Sequence, residues 1–373
     1  MPAKLTLLIR QCFLIFDTSS IMVQLQKVKL VGFLVGSMLL ITFTFYFYQI
    51  VYTPNILVDR DDRLFVIKSG TSYRGVLESL GKQEMVNDMV SFSFLARLKD
   101  FDKNIRPGRY MLRRNMTNLM AINALLGGRQ EPVNVVFTHV RLLSELDERI
   151  TKNIGVTPDE FEDALDEFIE NNKEGFNRDN ILSMFIPNTY QVYFNVVPEE
   201  LVERMHAEHT RFWNEERKSK AASLGLSPIE VSILASIVQA EVVKQDEAPT
   251  IVGLYINRLK KDIPLQADPT LVFAVGDFTI KRVLNEHKEV DSPYNTYKNA
   301  GLPPGPINMP QIANIDAVLN YEKSKYLYMC AREDFSGYHN FASTLREHNQ
   351  NAGKYQRALS IEMRKGAAKR KKK

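Results

Sequence analysis

The chain has 373 residues, of which 45% are hydrophobic and 25% charged, the balance of a globular protein rather than of a disordered one. Its net charge is +4, but residues 364–373 hold seven basic residues and no acid, and the rest has 41 basic against 44 acidic residues. This excludes a basic body suited to nucleic acid. Cys12 and Cys330 belong to no CxxC or Cys/His cluster, so no metal site is predicted, and no motif indicates another cofactor.

An uncharged segment near the N-terminus is long enough to cross a membrane. Residues 30–58 contain no charge, and a helix needs about 20 apolar residues to cross a bilayer core. Lys27 and Lys29 precede the segment, so the positive-inside rule places the N-terminus in the cytoplasm and the rest outside. The alternative is a cleaved signal peptide, although the apolar segment is long for one. Met22 begins a more usual anchor than Met1, and we expect it to be the true start.

The segment after the membrane helix, residues 59–132, predicts a small α+β module. Its pattern is strand, helix, helix, strand, helix, and the last helix is stopped by Gly127 and Gly128. Two interpretations stay open, a glycan-binding module resembling LysM and a spacer. The predicted strands lie at residues 64–67 and 106–111, and the predicted helices at residues 76–80, 85–98 and 118–126.

A second, larger region begins at residue 133 with a β-like segment. A helix is predicted from Pro198 to about Lys218. His206 and His209 lie three positions apart on it, which is the spacing of a metal-binding pair or of a solvated helix face. No third ligand is visible nearby in the sequence.

The most informative helix begins at Ser227. Ser227 is a helix cap, Pro228 fills the first turn, and Glu230 completes a capping box. The helix that follows has an apolar stripe at positions i, i+3, i+4 and i+7, which packs inward and ends at Glu241. The stripe consists of Leu234, Ile237, Val238 and Glu241.

A carboxylate on an apolar stripe is costly to desolvate. The pKa of Glu241 should therefore rise unless a cation pairs with it. A glutamic acid that is protonated near neutral pH is suited to general acid catalysis. The alternative is a side chain that reaches solvent or pairs with Lys244 or Arg258.

Several ordered blocks lie between about residues 60 and 357. They are ASIVQAE at 235–241, VGLYINRL at 252–259 and LQADPT at 265–270, with FIPNTY at 185–190, SPYNTY at 292–297, GLPPGPI at 301–307 and H-x-F at 339–341. These blocks resemble those of the MltG-type (YceG-like) endolytic murein transglycosylases, whose pattern is ASI-[IV]-E-x-E, then V-x-x-V-x-x-N-R-L, then L-Q-x-D-P-T.

The resemblance implies that Glu241, the second Glu of the first block, is the catalytic residue. It also implies cleavage of the β-1,4 bond between N-acetylmuramic acid and N-acetylglucosamine, with one carboxyl group acting first as acid and then as base to give a 1,6-anhydro end. The first Glu of the pattern is Gln239 here, which suggests a supporting role. Asn188 replaces the Asp of many relatives and is expected to give structural support, and Arg258 is expected to brace the active-site helix.

Four further polar residues are candidates for contacts with sugar hydroxyls and acetamides. They are Gln266, Asp268, Asn295 and Tyr297. Asp268 is open to two other interpretations, a second catalytic acid and a turn-former.

Two further segments each have two interpretations. The segment 301–305 either forms a wall of a glycan groove or is a tight loop. The basic tail either lies on anionic lipid or wall polymer or is a solvated, disordered end.

We predict an α+β protein with a transmembrane helix, a LysM-like module and a mixed α+β catalytic domain. The expected partners are peptidoglycan strands, the bacterial inner membrane and peptidoglycan synthases, without nucleic acid. The alternative function is a non-catalytic, membrane-tethered glycan-binding scaffold. The predicted boundaries are 1–29 for the cytoplasmic N-terminus, 30–52 for the transmembrane helix, 59–132 for the module, 133–357 for the catalytic domain and 358–373 for the basic tail.

Overall fold

The computed structural model describes the backbone of residues 3–370 and the side chains of residues 24–365. The chain divides into two compact units, Met1–Glu131 and Pro132–Lys373. The predicted mixed α+β class with an N-terminal apolar helix is confirmed. The expectation that Met22 is the true start concerns residues whose side chains lie outside the described ones.

The first unit opens with a long apolar helix, α1 (Ala3–Tyr52). Its part Gln24–Tyr52 is long and apolar enough to cross a membrane, with a mean hydropathy of 2.0. Large apolar side chains such as Phe33 are exposed along it, whereas Ile50 at its end packs into the core of this unit. Exposure of so many apolar side chains is unfavourable in water and is typical of a helix in lipid.

The rest of the first unit has the predicted order of strand, helix, helix, strand and helix, with two additional short strands. Two antiparallel pairs form, β1 with β4 and β2 with β3. The second helix begins at Met89 rather than at the predicted residue 85, because the side chain of Asp88 caps it. The elements are β1 (Pro54–Ile56), β2 (Arg63–Ile67), α2 (Tyr73–Lys82), α3 (Met89–Leu98), β3 (Gly108–Leu112), β4 (Met116–Thr117) and α4 (Asn118–Gly127).

The second unit contains nine α-helices and two antiparallel strand pairs among its described residues, with β5 paired to β6 and β7 to β8. One apolar core lies around β5, β6 and the helices α5 to α7, and another around α9, α10 and α12. The elements are β5 (Val133–Phe137), α5 (Leu143–Thr151), α6 (Pro158–Asn171), β6 (Asn188–Val192), α7 (Pro198–Phe212), α8 (Glu215–Leu224), α9 (Pro228–Glu241), α10 (Ala248–Leu259), α11 (Asp268–Val275), α12 (Ile312–Leu319), β7 (Tyr328–Ala331), β8 (His339–Ala342) and α13 (Leu345–Arg370).

Helix α9 is the centre of the second core. The predicted capping box between Ser227 and Glu230 is present. The predicted one-sided stripe understates the packing, because all eight residues from Val231 to Val238 are buried. A helix that is apolar on all sides is a buried helix. Its neighbours α10 and α12 thus fix the position of its C-terminal end.

The prediction of one helix from Pro198 to Lys218 is wrong. Helix α7 ends at Phe212 and α8 begins at Glu215, because Trp213 is buried and leaves the helical conformation. The side chain of Asn214 then accepts a hydrogen bond from the backbone N–H of Arg217 and caps α8.

The interpretation of the histidine pair as a solvated face is wrong for His209. Its side chain is buried and packs against Phe176 and Trp213. Only His206 faces outward, and its Nε2 lies 2.8 Å from a carboxylate oxygen of Glu174.

For the basic tail, the interpretation as a disordered end differs from the structure. Helix α13 continues past residue 357 to Arg370. The remaining residues, 371–373, lie outside the described ones.

Candidate active site

Glu241 is the last residue of α9 and lies where two cavities of the second unit meet. One cavity has a volume of about 720 Å³ and the other about 290 Å³, and Glu241 and Asp268 line both. Together they form a groove at the Glu241 carboxyl group. The larger cavity is also lined by Arg141, Phe273, Phe278, Asn308 and Leu359, and the smaller by Tyr255, Gln266, Tyr297 and His339.

The carboxyl group of Glu241 forms no ion pair within the described part of the chain, and Asp268 and Tyr255 are its polar neighbours. Its pKa is raised to about 7, mainly by burial and also by the negative charge of Asp268, while a hydrogen bond from Tyr255 opposes the rise. That bond is long, with 3.4 Å between the Tyr255 Oη and Glu241 Oε1. Among the described residues neither Lys244 nor Arg258 forms an ion pair with Glu241. The predicted rise in pKa is therefore confirmed, and the side chain, which is partly exposed, faces the groove.

Asp268 begins helix α11, and its carboxylate stands beside Glu241. The hydroxyl of Tyr297 donates a hydrogen bond of 2.5 Å to Asp268 Oδ1. Burial and this bond raise the pKa of Tyr297 well above its ordinary value, so the phenol stays a donor. Asp268 thus starts a helix, as a turn-former would, and also supplies a fixed negative charge to the groove.

Gln266 is held in an unusual backbone conformation at the smaller cavity. Its φ is +52°, in the left-handed region that residues other than glycine rarely occupy. Its backbone N–H donates to the carbonyl of Thr296 at 2.9 Å, and its Oε1 accepts from Arg258 Nη1 at 3.3 Å. The exposed amide is thereby presented to the groove.

Arg258 braces loops rather than helix α9. Its buried guanidinium donates to the carbonyl of Leu327 at 2.6 Å, of Pro264 at 2.9 Å and of Leu265 at 3.0 Å. The expectation that it supports the active-site helix is corrected, since its bonds instead fix the approach to α11 and the start of β7.

Gln239 joins α9 to the segment that follows residue 307. Its Nε2 donates to Asn308 Oδ1 at 2.9 Å and to the carbonyl of Met309 at 3.1 Å. Its Oε1 accepts from the N–H of Gln311 at 2.5 Å and from Asn314 Nδ2 at 2.9 Å. A glutamate at this position could not donate the bonds to Asn308 and Met309, because an ionised carboxylate only accepts hydrogen bonds. The network therefore requires the amide of Gln239. Gln239 thereby positions Asn308 in the groove wall.

Asn295, a candidate sugar contact, is not available to a ligand of the groove, and Asn188, a candidate for structural support, lines neither cavity. Asn295 is fully buried, and its Nδ2 donates to the carbonyls of Lys288 and Val290 at 2.9 and 2.8 Å. Its Oδ1 accepts from the N–H of Tyr297 at 3.0 Å, so Asn295 shapes a turn instead of contacting sugar. Asn188 is exposed at the start of β6, where it accepts from its neighbour's N–H, and it lines neither cavity.

Sequence reasoning missed Tyr255 and the contribution of α13. Tyr255 lies inside the block at 252–259, one turn before Arg258, and is buried beside Glu241. Tyr355, Leu359 and Met363 of α13 line the larger cavity at four-residue spacing. That spacing is visible in the sequence, but it crosses the predicted boundary at residue 357.

Comparison with known proteins agrees over most of the chain. The model of the YceG-like family matches residues 65–354. An endolytic murein transglycosylase of Bacillus subtilis is 29% identical over 318 residues, which cover 80% of this chain and 87% of the relative. One of Streptococcus pneumoniae is 26% identical over 362 residues, which cover 88% of this chain and 65% of that longer relative. A crystal structure of a YceG-like protein from Listeria monocytogenes matches with a TM-score of 0.51 and 26% identity, over 78% of this chain and 98% of that one.

Proposed function

Because the chain belongs to the YceG-like family, we propose that it is a membrane-anchored lytic transglycosylase that cuts peptidoglycan strands internally. The observation that carries this proposal is the carboxyl group of Glu241, which has no cation partner among the described residues and a pKa raised to about 7, at the meeting of two cavities. A pure binding protein has no need of such a group. The names of the relatives from Bacillus subtilis and Streptococcus pneumoniae support the same activity.

The proposed reaction uses Glu241 twice. The protonated carboxyl group gives its proton to the glycosidic oxygen between N-acetylmuramic acid and N-acetylglucosamine, and the C1–O bond breaks. The resulting carboxylate then removes the proton from the C6 hydroxyl of the muramic acid, whose oxygen bonds to C1. A 1,6-anhydro ring forms, no water is consumed, and Glu241 is protonated again. A pKa near 7 suits a group that must act as acid and as base.

The groove supports an internal cut. The cavities of about 720 and 290 Å³ meet at Glu241, so there is room for sugars on both sides of the bond that is broken. Gln266 and Asp268 offer exposed polar groups to sugar hydroxyls and acetamides, and Tyr255 keeps Glu241 oriented. Cutting growing strands in this way limits their elongation.

The test is incubation of the purified full chain with peptidoglycan, followed by mass spectrometry of the products. Muropeptides with 1,6-anhydro ends are expected. Products with ordinary reducing ends would assign a hydrolase instead, and binding without products would favour the non-catalytic scaffold.

Substitution of Asp268 by Asn is expected to move the loss of activity at high pH to lower pH. The reaction needs protonated Glu241, and the charge of Asp268 is one cause of its raised pKa. Asn keeps an oxygen to accept the hydrogen bond from Tyr297 but removes the charge, so Glu241 loses its proton at lower pH. The measurement is the rate of anhydro-product formation from pH 5 to 9.

The matched control is Asp316→Asn, which removes a carboxylate paired with Arg217 on other helices of the same unit. It should leave the pH profile unchanged. An Asp268→Asn profile that stays in place, or moves to higher pH, contradicts this role of Asp268.

We further propose that residues 59–132 form a LysM-like module that binds glycan, and that residues 30–52 cross the inner membrane with residues 1–29 in the cytoplasm. On this proposal residues 133–357, together with the part of α13 that lines the groove, form the catalytic domain outside the membrane, and 358–373 form the basic tail. The first unit has a core of its own, which supports an independent module. Peptidoglycan synthases that elongate the same strands are the proposed protein partners.

The exposed aromatic ring of Phe94 on α3 offers this module a face for a sugar. Its side chain is 48% exposed, and stacking on an exposed ring is a common way to hold a pyranose. In the inactive Glu241→Gln chain, Phe94→Ala should reduce co-sedimentation with insoluble peptidoglycan several-fold. Met120→Ala on α4, which removes a similarly exposed side chain of the same unit, is the control. Equal retention of both variants would count against glycan binding by this face.

A further inference from the structure

A separate cavity of about 820 Å³ lies at the other end of α9 from Glu241. It is lined by Ser227 and Ile233 in the first half of that helix, which has 14 residues. At 1.5 Å per residue along the helix, Ser227 is about 21 Å and Ile233 about 12 Å from Glu241. Neither Glu241 nor Asp268 lines it, so it is distinct from the groove.

Two buried aromatic residues of this cavity have polar atoms without partners. His209 is 4% exposed and Trp213 is 1% exposed. Neither ring nitrogen of His209, nor Nε1 of Trp213, has a hydrogen-bond partner within the described part of the chain. Leaving a buried polar group unpaired costs about 1–3 kcal/mol. Burial lowers the pKa of His209 to about 4, so at neutral pH the imidazole offers one donor and one acceptor.

The lining of the cavity fits a peptide. The indole N–H requires an acceptor and the imidazole requires both an acceptor and a donor, which are the two groups of a peptide bond. Apolar side chains such as Phe176, Ile229 and Leu302 cover most of the wall, while Glu174 and Lys218 bring charges of both signs. A lipid chain leaves the nitrogens unpaired, and a stacked sugar needs an open ring face, which the buried Trp213 lacks.

We propose that this cavity binds a short peptide with apolar side chains. Its identification as the peptide branch of a peptidoglycan strand rests on the proposed function, whereas peptide binding itself does not. One continuous segment connects the two sites, because residues 301–304 line this cavity and Ile307 and Asn308 line the groove. Between them Gly305 packs so closely on the carbonyl of Asp179 that an added Cβ would lie 1.9 Å from its oxygen. One segment of the chain therefore contributes to the walls of both sites.

The test uses fluorescence, because Trp213 is the only tryptophan of the 373 residues. The full chain carrying Glu241→Gln, in detergent, is titrated with free peptides released from peptidoglycan by an amidase, and separately with glycan strands stripped of peptide. Free peptide should shift the emission saturably, and stripped glycan should not. His209→Leu should weaken peptide binding about tenfold, the equivalent of one hydrogen bond. The His209→Leu variant should keep or exceed the thermal stability of the parent chain, because the substitution removes an unpaired imidazole.

His206→Gln, one turn away on the same helix, is the control and should bind peptide normally. Trp213→Phe, followed by calorimetry, gives a second measurement because it keeps a ring and removes the N–H. No saturable response to peptide, an equal response to stripped glycan, or unweakened binding by both His209→Leu and Trp213→Phe overturns the proposal. Peptide binding by a chain that yields no anhydro products would overturn the proposed activity alone.

Discussion

Replacing Glu241 by Gln should reduce the rate of anhydro-product formation by about a thousandfold or more. The amide has nearly the same shape and still accepts the hydrogen bond from Tyr255, but it cannot transfer a proton in either step. The fold should persist and become more stable above pH 7. In the native chain the pKa of Glu241 is raised to about 7, so ionisation of this group costs stability as pH rises from about 4.5, its unfolded value, through 7. The variant has no such loss.

Two measurements separate loss of chemistry from loss of structure. Anhydro-product formation is followed by mass spectrometry, and the unfolding midpoint is measured at pH 5 and pH 8. Glu203→Gln, an exposed change on α7, is the matched control and should alter neither quantity. Full activity in the Glu241→Gln chain would remove Glu241 from the mechanism and leave the catalytic proposal without its central residue.

The position of Glu241 could be predicted because the residues that determine it lie close by in the sequence. Ser227 and Glu230 set the start of α9, helical periodicity carries the chain to residue 241, and the resemblance identifies that residue. The raised pKa followed from the apolar neighbours in the same helix. Such signals involve residues within a few helical turns of each other, so they can be recognised in the sequence alone.

The surroundings of Glu241 depend on contacts between distant segments. Arg258 fixes Leu327, 69 positions away, and Gln239 fixes Asn314, 75 positions away. No periodicity records such pairs. For the same reason Asn295 resembled a sugar contact, although it is used to close a turn. The burial of His209 was missed because a break at Trp213 redirects the chain, and helix propensity alone does not reveal such a break.

Gly253→Ala is expected to destabilise the second unit strongly, although alanine favours helices. Gly253 lies inside α10, and a Cβ added there would be 2.2 Å from the carbonyl oxygen of Glu322, an atom of the backbone that cannot rotate away. Moving α10 away from the backbone of Glu322 should lower the free energy of unfolding by about 3 kcal/mol. The higher helix propensity of alanine should raise it by about 1 kcal/mol. The net loss lowers the unfolding midpoint by about 4–8 °C. It should also lower activity, because α10 carries Tyr255 and Arg258.

Gly353→Ala in α13 provides the opposite outcome from the same chemical change. Its added Cβ would meet only the flexible end of Arg357, at 3.5 Å, so the gain in helix propensity should prevail and the midpoint should rise slightly. If Gly253→Ala left the midpoint unchanged or raised it, as Gly353→Ala should, the close packing of α10 on the Glu322 carbonyl would not stabilise this wall of the site. Opposite shifts would support the requirement for glycine at position 253, where the backbones of α10 and Glu322 approach closely.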